Sequence, residues 1–421
     1  MSLNYWQLFS YYVFLFPLVM SVVYAVGGVY FWFRREKRSE ATERTIPTEQ
    51  WPHITVLVPV HNEATTIKDT MQNLSSLDYP DYDVVFIDDN SADNSADIIR
   101  EHLKTAQNFH LIHLSKNVGK AAALNNALTR IGDTPIVVVL DADTTLKSDA
   151  LKWLTLPFTY QPRLGAVTGN PVARNRNNLL EKIQTAEFAS IIGLLKRSQR
   201  VMGRVLTVSG CATAYRTDVL RKVGGFSSNS ATEDIDITWK LQKAHYEIWF
   251  APKAVAYIEV PASFSSYWKQ RERWALGGWH LLRTHKDIFQ RWEHRRLWPI
   301  YAEFFLSYIW SLLFVFGTAT WIITSLFVGE PVGLNPVPAW TGAVLIFACL
   351  FQFGAALLVN RQYDETLWQA FFYVPWYPLF FYVINALTVV WTAPKGLMGS
   401  LNNVGKWQSP ARRTVKSLIQ G

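Results

Sequence analysis

The chain has 421 residues, of which 49% are hydrophobic, 14% aromatic and 18% charged. This composition excludes a disordered or fibrous protein, and the length favours two or three domains. Lysine and arginine (41) outnumber aspartate and glutamate (33), which gives a net charge of +8. The two cysteines, Cys211 and Cys349, lie in segments of different character, so we expect no disulfide framework.

The first 33 residues carry no charged side chain. Their apolar run, 9–33, exceeds the roughly 20 residues that a membrane-spanning helix needs. A basic cluster follows at 34–38, and the segment lacks the basic start and the small-residue cleavage site of a signal peptide. We therefore predict a permanent transmembrane anchor over 1–33, with Met1 outside and the next segment in the cytosol, because basic residues stay on the cytoplasmic side.

Three further apolar stretches, 299–328, 337–359 and 367–392, are each long enough to span a bilayer. We predict a C-terminal transmembrane region over 299–393 and a basic tail over 394–421. If all three C-terminal stretches crossed, making four crossings with the anchor, this basic tail would lie outside, against the rule that basic segments remain in the cytosol. Either one stretch lies along the interface or re-enters, with the proline-interrupted third stretch as the first candidate, or the charge rule fails here.

Residues 34–298 have an ordinary mixed composition, and we predict that they form a cytosolic domain with interfacial helices. Short runs rich in β-branched residues alternate with stretches of helical length, which is typical of an α/β fold with a mostly parallel sheet. The predicted strands are 53–60, 83–89, 109–114, 135–143 and 164–171, with two more near 204–216 and 247–252. The basic, tryptophan-bearing segment 281–298 predicts an amphipathic helix on the inner leaflet, so a lipid bilayer explains the positive charge better than nucleic acid does.

Acidic residues collect where two of these strands end. Asp88 and Asp89 close one strand, and Asp141 and Asp143 close another. Ligands of open α/β sheets bind beyond the carboxyl ends of the strands, where carboxylates can hold a divalent ion that neutralises a diphosphate. The alternative is that all four are solvated loop acids. The sequence has neither G-x-G-x-x-G after the first strand nor a G-x-x-x-x-G-K-[ST] loop, which argues against dinucleotide oxidoreductases and P-loop enzymes.

Two motifs near predicted helix starts have both a structural and a functional interpretation. NVGK, at 117–120, suits a phosphate or ribose contact through its lysine, and it equally suits a plain helix start. TEDID, at 232–236, suits a helix capped by Thr232 with acids in its first turn. The functional alternative makes Asp234 a general base near an acceptor hydroxyl.

QRERW, at 270–274, is the last motif with two interpretations. It is either part of an interfacial helix or a site in which Arg273 stabilises a leaving diphosphate and Trp274 stacks on a sugar face.

Taken in order, six motifs resemble those of the family 2 processive glycosyltransferases. They are VPVHNE (58–63), DDNSAD (88–93), NVGK, DAD (141–143), TED (232–234) and QRERW. Within that family, five longer strings are similar to bacterial poly-β-1,6-N-acetylglucosamine synthases. They are GAVTGNP, SIIGLLKRSQR, TVSGCATAYR, TEDIDITWKLQ and WQSPAR. The resemblance implies an α/β, GT-A-type nucleotide-sugar domain inserted between transmembrane helices of a multi-pass protein in the bacterial inner (plasma) membrane.

The resemblance also implies roles for individual residues. Asp234 is the expected catalytic base, and Asp143 is the expected ligand of a Mg²⁺ or Mn²⁺ ion. The residues expected to bind the donor are Glu63, Asp89, which contacts the uracil, Lys120 and Asp141. The residues expected at the acceptor terminus and the diphosphate are Thr232, Glu233, Gln270, Arg273 and Trp274.

The implied reaction is inverting transfer of N-acetylglucosamine from UDP-GlcNAc to a growing polysaccharide, which would produce β-1,6-linked poly-GlcNAc for a biofilm matrix and assist its translocation. A small membrane partner subunit is implied as well, with regulation of the pair by cyclic di-GMP as in Gram-negative relatives, and no nucleic acid is expected as a partner. A hyaluronan, chitin-oligomer or cellulose synthase would share all the motifs, and a non-processive glycosyltransferase is a further alternative. The alternative from a different functional class is an inactive membrane export scaffold that keeps the fold.

Overall fold

The computed structural model describes residues 5–36, 50–329, 331–335, 340–378 and 383–399. The chain divides into two compact units. The sheet unit contains Trp32–Glu181 and Met202–Pro261, and the helical unit contains Met1–Phe31, Lys182–Val201 and Ala262–Gly399.

The sheet unit is built on eight strands. In chain order they are β1 (Ile54–Val60), β2 (Tyr82–Asp88), β3 (Phe109–His113), β4 (Ile136–Leu140), β5 (Thr145–Leu146), β6 (Leu164–Ala173), β7 (Ala212–Arg216) and β8 (Glu247–Ile258). Their order across the sheet is β3-β2-β1-β4-β7-β6-β8-β5. The α/β architecture predicted from the sequence is therefore confirmed.

The sheet is mixed, whereas the sequence pattern predicts a mostly parallel one. The half formed by β3, β2, β1 and β4 is parallel, and so is the pair of β6 and β8. However, β7 runs antiparallel to both β4 and β6. Strand β7 begins beside the end of β4, where Ala212 pairs with Leu140, and from there the chain runs back along β4. This reversal brings the loop before β7 to the carboxyl end of β4.

Helices cover both faces of the sheet, which explains the continuous apolar runs of its central strands. All five residues of β4 are buried. Ile136 and Val138 belong to one hydrophobic cluster, and Val137 and Val139 belong to the other, as the alternation of side chains along a strand requires. The strand is thus packed on both faces up to its last residue, just before Asp141.

The α-helices of both units are numbered here in chain order. They are α1 (Tyr5–Phe31), α2 (Ile67–Leu74), α3 (Ser95–His102), α4 (Lys120–Arg130), α5 (Ala150–Tyr160), α6 (Leu179–Phe188), α7 (Leu195–Val201), α8 (Thr217–Lys222), α9 (Glu233–Lys243), α10 (Phe264–Thr284), α11 (Trp298–Phe327), α12 (Trp340–Asn360) and α13 (Ala386–Met398). The π-helical segments are Trp32–Glu36 and Ala189–Leu194, and the 3₁₀ segments are Lys286–Gln290, Trp292–Leu297 and Glu365–Trp376.

Three helical segments among the described residues are long and apolar enough to cross a membrane: Gln7–Glu36, Trp292–Phe327 and Gly342–Asn360. They correspond to the anchor and to the first two apolar stretches predicted near the C-terminus. The third stretch, 367–392, is not one helix in the part that the structure describes, because a 3₁₀ segment ends at Trp376 and α13 begins only at Ala386. Residues 379–382 and the tail from 400 onward lie outside the described residues.

The prediction of a single amphipathic helix over 281–298 is wrong. Helix α10 ends at Thr284, and two short 3₁₀ segments separate it from α11. The aromatic side chains pack on one another instead of lining one helix face, since the ring centroids of Trp292 and Trp298 are 5.5 Å apart. The indole N–H of Trp298 also donates to the carbonyl of Ile288 at 2.8 Å, which fixes the turn.

Candidate active site

Lys120 lies at the centre of the acidic residues that the sequence singles out in the sheet unit. Its Nζ lies 2.6 Å from Oδ1 of Asp141 and 3.1 Å from Oε1 of Glu233. The same ammonium donates to the carbonyl of Gly210 at 3.4 Å. One lysine thus joins the start of α4, the end of β4, the start of α9 and the loop before β7.

The loop before Lys120 is fixed by Asp89, which is buried at the end of β2. One carboxylate oxygen of Asp89 accepts the backbone N–H of Val118 and the other accepts that of Gly119, both at 2.8 Å. Gly119 has a φ of +87°, a conformation that glycine adopts without strain. Each oxygen of Asp89 retains a lone pair that can accept a further hydrogen bond, and the uracil contact stays a prediction.

The carboxylates around Lys120 favour its protonated form. Burial alone would lower the pKa of Lys120, but the carboxylates of Asp141 and Glu233 raise it above the usual lysine value. Burial raises the pKa of Asp141, and Asp143 adds to this shift, although Lys120 opposes it. Negative charge therefore exceeds positive charge within this group, which suits the binding of a further cation.

Asp234 belongs to the first turn of α9, next to Glu233. A methyl group added at Gly210 would lie 3.3 Å from Oδ2 of Asp234, so the backbone of the loop before β7 passes close to this carboxylate. The helix dipole favours the charged form of a carboxylate at this position. The structure thus brings Lys120, Asp141, Glu233 and Asp234 together.

Thr232 occupies the N-cap position of α9, as the structural interpretation predicts, but its side chain makes no capping hydrogen bond. Its Oγ1 is buried and has no hydrogen-bond partner among the described residues. A buried hydroxyl without a partner is costly, so it is a candidate for contact with a ligand.

Glu63 is buried beside the same edge of the sheet and links the loop after β1 to the start of α3. Its backbone N–H donates to Oγ of Ser95 at 2.8 Å, and its carboxylate accepts a hydrogen bond from Thr66 at 3.1 Å. Asp88, to which the resemblance assigns no role, accepts a 2.6 Å hydrogen bond from Nδ1 of His113, which links the ends of β2 and β3.

No group of three or more His, Cys, Asp or Glu side chains in the described part of the chain is arranged to hold a metal ion by itself. The chemistry of Asp141 and Asp143 nevertheless fits Mg²⁺ or Mn²⁺. Magnesium is usually bound by one or two carboxylates together with phosphate oxygens of a substrate rather than by an all-protein cage. The excess negative charge around Asp141 agrees with this interpretation.

Gln270, Arg273 and Trp274 belong to the helical unit, where they lie on α10. Their spacing of three and four residues places them on one face of the helix. Arg273 is exposed and Trp274 is half-buried. Oε1 of Gln270 is buried and has no hydrogen-bond partner in the described residues.

Gly210 is the site residue that sequence reasoning missed. It lies within TVSGCATAYR, a string that contributes to the resemblance but that has no residue assigned a role. Its proximity to Asp234 and Lys120 depends on the antiparallel course of β7, which the pattern of apolar residues does not reveal.

The mixed sheet and the acidic residues at its carboxyl edge define a GT-A-like glycosyltransferase fold. The sequence profile described as "Glycosyltransferase like family 2" matches residues 52–277. The chain is 34% identical to the poly-beta-1,6-N-acetyl-D-glucosamine synthase of Staphylococcus aureus (strain COL), over 96% of this chain and 98% of that protein. It is 33% identical to the synthase of the same name from Staphylococcus epidermidis, over 95% and 98%.

A solved structure shares the fold. The mannosyltransferase PcManGT from Pyrobaculum calidifontis, in complex with GDP-Man and Mn²⁺, superposes with a TM-score of 0.56 over 92% of this chain and 99% of that chain, at 19% identity. The chain therefore belongs to the family 2 glycosyltransferases, and the predicted family and fold are confirmed.

Proposed function

We propose that this chain polymerises N-acetylglucosamine from UDP-GlcNAc into a β-1,6-linked polymer, processively and with inversion at the anomeric carbon. The observation that carries the proposal is the cluster of Lys120, Asp141 and Glu233 beside Asp234. Support for the sugar and the linkage comes from the names of the staphylococcal relatives, which match almost the whole chain.

In this mechanism Asp234 takes the proton of the attacking acceptor hydroxyl on its carboxylate. General-base catalysis by a positioned carboxylate needs no covalent intermediate, so a single displacement converts an α-linked donor into a β-linked product. Lys120 remains protonated and holds Asp141 and Glu233 in place through the ion pairs described above. Asp89 maintains the loop that precedes Lys120, and Glu63 stabilises the adjacent loop.

Asp143, with Asp141 beside it, would hold Mg²⁺ or Mn²⁺ together with the donor diphosphate. When bound, such an ion neutralises the charge that develops on the departing UDP. The metal of PcManGT, which is Mn²⁺, supports this part of the proposal.

For the residues of α10 we propose the acceptor and diphosphate roles that the resemblance implies. Trp274 offers a half-buried aromatic surface to the acceptor sugar, and the exposed guanidinium of Arg273 suits a diphosphate. Gln270 has a buried amide oxygen that can accept a hydrogen bond from a sugar hydroxyl. Thr232 and Glu233 contribute at the start of α9.

We propose a multi-pass topology in the bacterial inner membrane with three crossings. If the segments Gln7–Glu36, Trp292–Phe327 and Gly342–Asn360 each cross once, the catalytic domain and the basic tail both lie in the cytosol. This arrangement satisfies the preference of basic segments for the cytoplasmic side. Single cysteines at position 2 and in the tail, placed in a chain with Cys211 and Cys349 replaced, should react with a membrane-impermeant maleimide on opposite sides.

We further propose that a small membrane subunit joins the chain and that cyclic di-GMP regulates the pair. This proposal follows from the resemblance of the sequence to the biofilm synthases. The purified chain should then be less active than the chain in its native membrane, and the dinucleotide should stimulate the membrane form. Full activity of the purified chain with no response to cyclic di-GMP would contradict the proposal.

The central experiment incubates membranes containing the full chain with radiolabelled UDP-GlcNAc and Mg²⁺ or Mn²⁺. We expect a polymer that a β-1,6-specific hexosaminidase degrades and chitinase does not. The Asp234→Asn variant should lose about 10²- to 10⁴-fold in polymer synthesis while it still binds UDP, because the donor is held by other residues. Chitinase-sensitive product, incorporation of glucuronic acid, or equal activity of the variant would contradict the proposal.

A further inference from the structure

Arg271 is the one residue of the QRERW motif that is fully buried in the helical unit, with 2% of its side chain exposed. Its Nη2 donates to Oε2 of Glu187 at 2.6 Å, and the side chain of Glu187 is 1% exposed. Glu187 lies on α6, 84 residues earlier in the chain. The ion pair therefore joins α10 to a distant helix.

The guanidinium of Arg271 also contacts two aromatic rings of its own helix. Its Cζ lies 4.5 Å from the ring centroid of Tyr267 and 4.3 Å from that of Trp274. Residues four before and three after Arg271 lie on the same face of the helix, so the three side chains form a continuous stack. A planar guanidinium suits such a stack, whereas the compact ammonium of lysine does not reproduce it.

This stack determines which surface of the Trp274 indole remains accessible to a ligand. One face of the indole is occupied by Arg271, and the ring is only half-buried, so its accessible surface lies away from the guanidinium. Glu187 holds the arginine through the 2.6 Å ion pair, and the guanidinium in turn lies against the indole. The residue that is proposed to receive the acceptor sugar is thus oriented by a buried charge pair.

We propose that Arg271 is a positioning residue that fixes the plane of the Trp274 indole against the acceptor sugar, and that Glu187 holds Arg271 in this position. The inference rests on the proposed acceptor role of Trp274. It predicts a defect in retaining the acceptor rather than in using the donor. The measured quantity is the fraction of released UDP that is accompanied by incorporation of sugar into polymer; the rest of the UDP comes from hydrolysis, in which water takes the sugar instead of the chain end.

The main test uses a double variant of the full chain, Glu187→Leu with Arg271→Met. Removing both members of a buried ion pair leaves no unpaired charge, so the double variant should fold, whereas a single replacement would leave one charge buried. We expect the KM for UDP-GlcNAc to be unchanged. The fraction of released UDP coupled to polymer should fall about tenfold, and chains should be shorter, because a desolvated cation–π contact of this kind is lost.

Arg271→Lys is a second variant, which keeps the charge but loses the planar stack, and it should give an intermediate coupling ratio. Arg283→Met is the matched control on the same helix, because Arg283 donates to the backbone carbonyls of Gly396 and Gly399. This control should keep the wild-type ratio.

Two results would overturn the inference while the proposed function stands. One is a double variant with wild-type UDP release and a wild-type coupling ratio. The other is a double variant in which UDP release and polymer synthesis fall by the same factor, so that the ratio keeps its wild-type value, which would indicate a merely structural role for the pair. A wild-type chain that releases no UDP from UDP-GlcNAc would instead overturn the proposed function, and this inference with it.

Discussion

Lys120 and Asp141 form an ion pair of 2.6 Å between the first residue of a helix and the residue that follows a buried strand. A lysine at a helix N-terminus is unfavourable with respect to the helix dipole. The carboxylates of Asp141 and Glu233 offset this cost, and they keep the lysine charged. A basic residue in such an unfavourable position, surrounded by acids at a sheet edge, is typical of a functional site.

Replacing Lys120 should change the pH dependence of donor binding. In the wild type, Lys120 opposes the upward shift in the pKa of Asp141, so Lys120→Met should raise that pKa further. Binding of metal and diphosphate requires the deprotonated carboxylate. On acidification the affinity for Mn²⁺–UDP should therefore fall at a higher pH in the variant than in the wild type, as measured by calorimetric titration across pH 5 to 8.

Lys152→Met is the matched control for this experiment, because Lys152 pairs with the exposed Asp78 at 2.7 Å in the same unit. Its pH profile should superimpose on that of the wild type. Identical profiles for Lys120→Met and the wild type would show that Asp141 does not take part in binding the metal and the donor.

Asp143→Asn should weaken metal-dependent donor binding. The change removes a charged oxygen ligand of a cation that bridges phosphates. We expect the affinity for Mn²⁺–UDP to fall at least about tenfold, with little change in the affinity for UDP in the presence of a chelator. Asp78→Asn, at an exposed position, is the control. An unchanged Mn²⁺–UDP affinity in Asp143→Asn would rule out this residue as a metal ligand.

The sequence predicts the strands well because each strand is marked by a short run of apolar residues that are adjacent in the chain. The five apolar residues of β4 and the acids after it can be recognised without any knowledge of their neighbours, and so can the helix that begins at Lys120. The structure brings Lys120, Asp141 and Glu233 together as the predicted donor and diphosphate site requires, although their roles in binding remain predictions.

Other features depend on contacts between residues far apart in the chain. The antiparallel course of β7, the proximity of Gly210 to Asp234, and the burial of Arg271 against Glu187 all result from tertiary packing. The helix prediction for 281–298 is wrong for a different reason. The tryptophan and arginine residues of this segment have the composition of an interfacial helix, but packing between Trp292 and Trp298 stabilises two short turns instead.

Gly210→Ala should impair catalysis through Asp234. The added methyl group would lie 3.3 Å from Oδ2 and 3.5 Å from Cβ of Asp234, so the carboxylate has to move by a few tenths of an ångström. Because an error of about 1 Å in position can cost about 10²-fold in rate, we expect kcat to fall roughly three- to tenfold, with UDP affinity retained. Turnover and UDP binding are measured on the same preparation.

The control for this variant is Gly132→Ala, since no described atom lies within 4 Å of the methyl group that it adds. It should have wild-type kcat. If Gly210→Ala turned over as fast as Gly132→Ala, the position of the Asp234 carboxylate would not limit the reaction.

Gly27→Ala should destabilise the packing of the first membrane helix. Gly27 lies against Ser198 of α7, and an added methyl group would overlap the serine side chain, which donates to the carbonyl of Val23 at 3.1 Å. Overpacking of this kind typically costs about 1–3 kcal/mol, so the thermal midpoint in detergent should fall. Gly354→Ala, on α12, is the matched control, because no described atom lies within 4 Å of its added methyl group and alanine favours the helix. A Gly27→Ala chain as stable as Gly354→Ala would mean that α1 does not pack on α7 at this glycine.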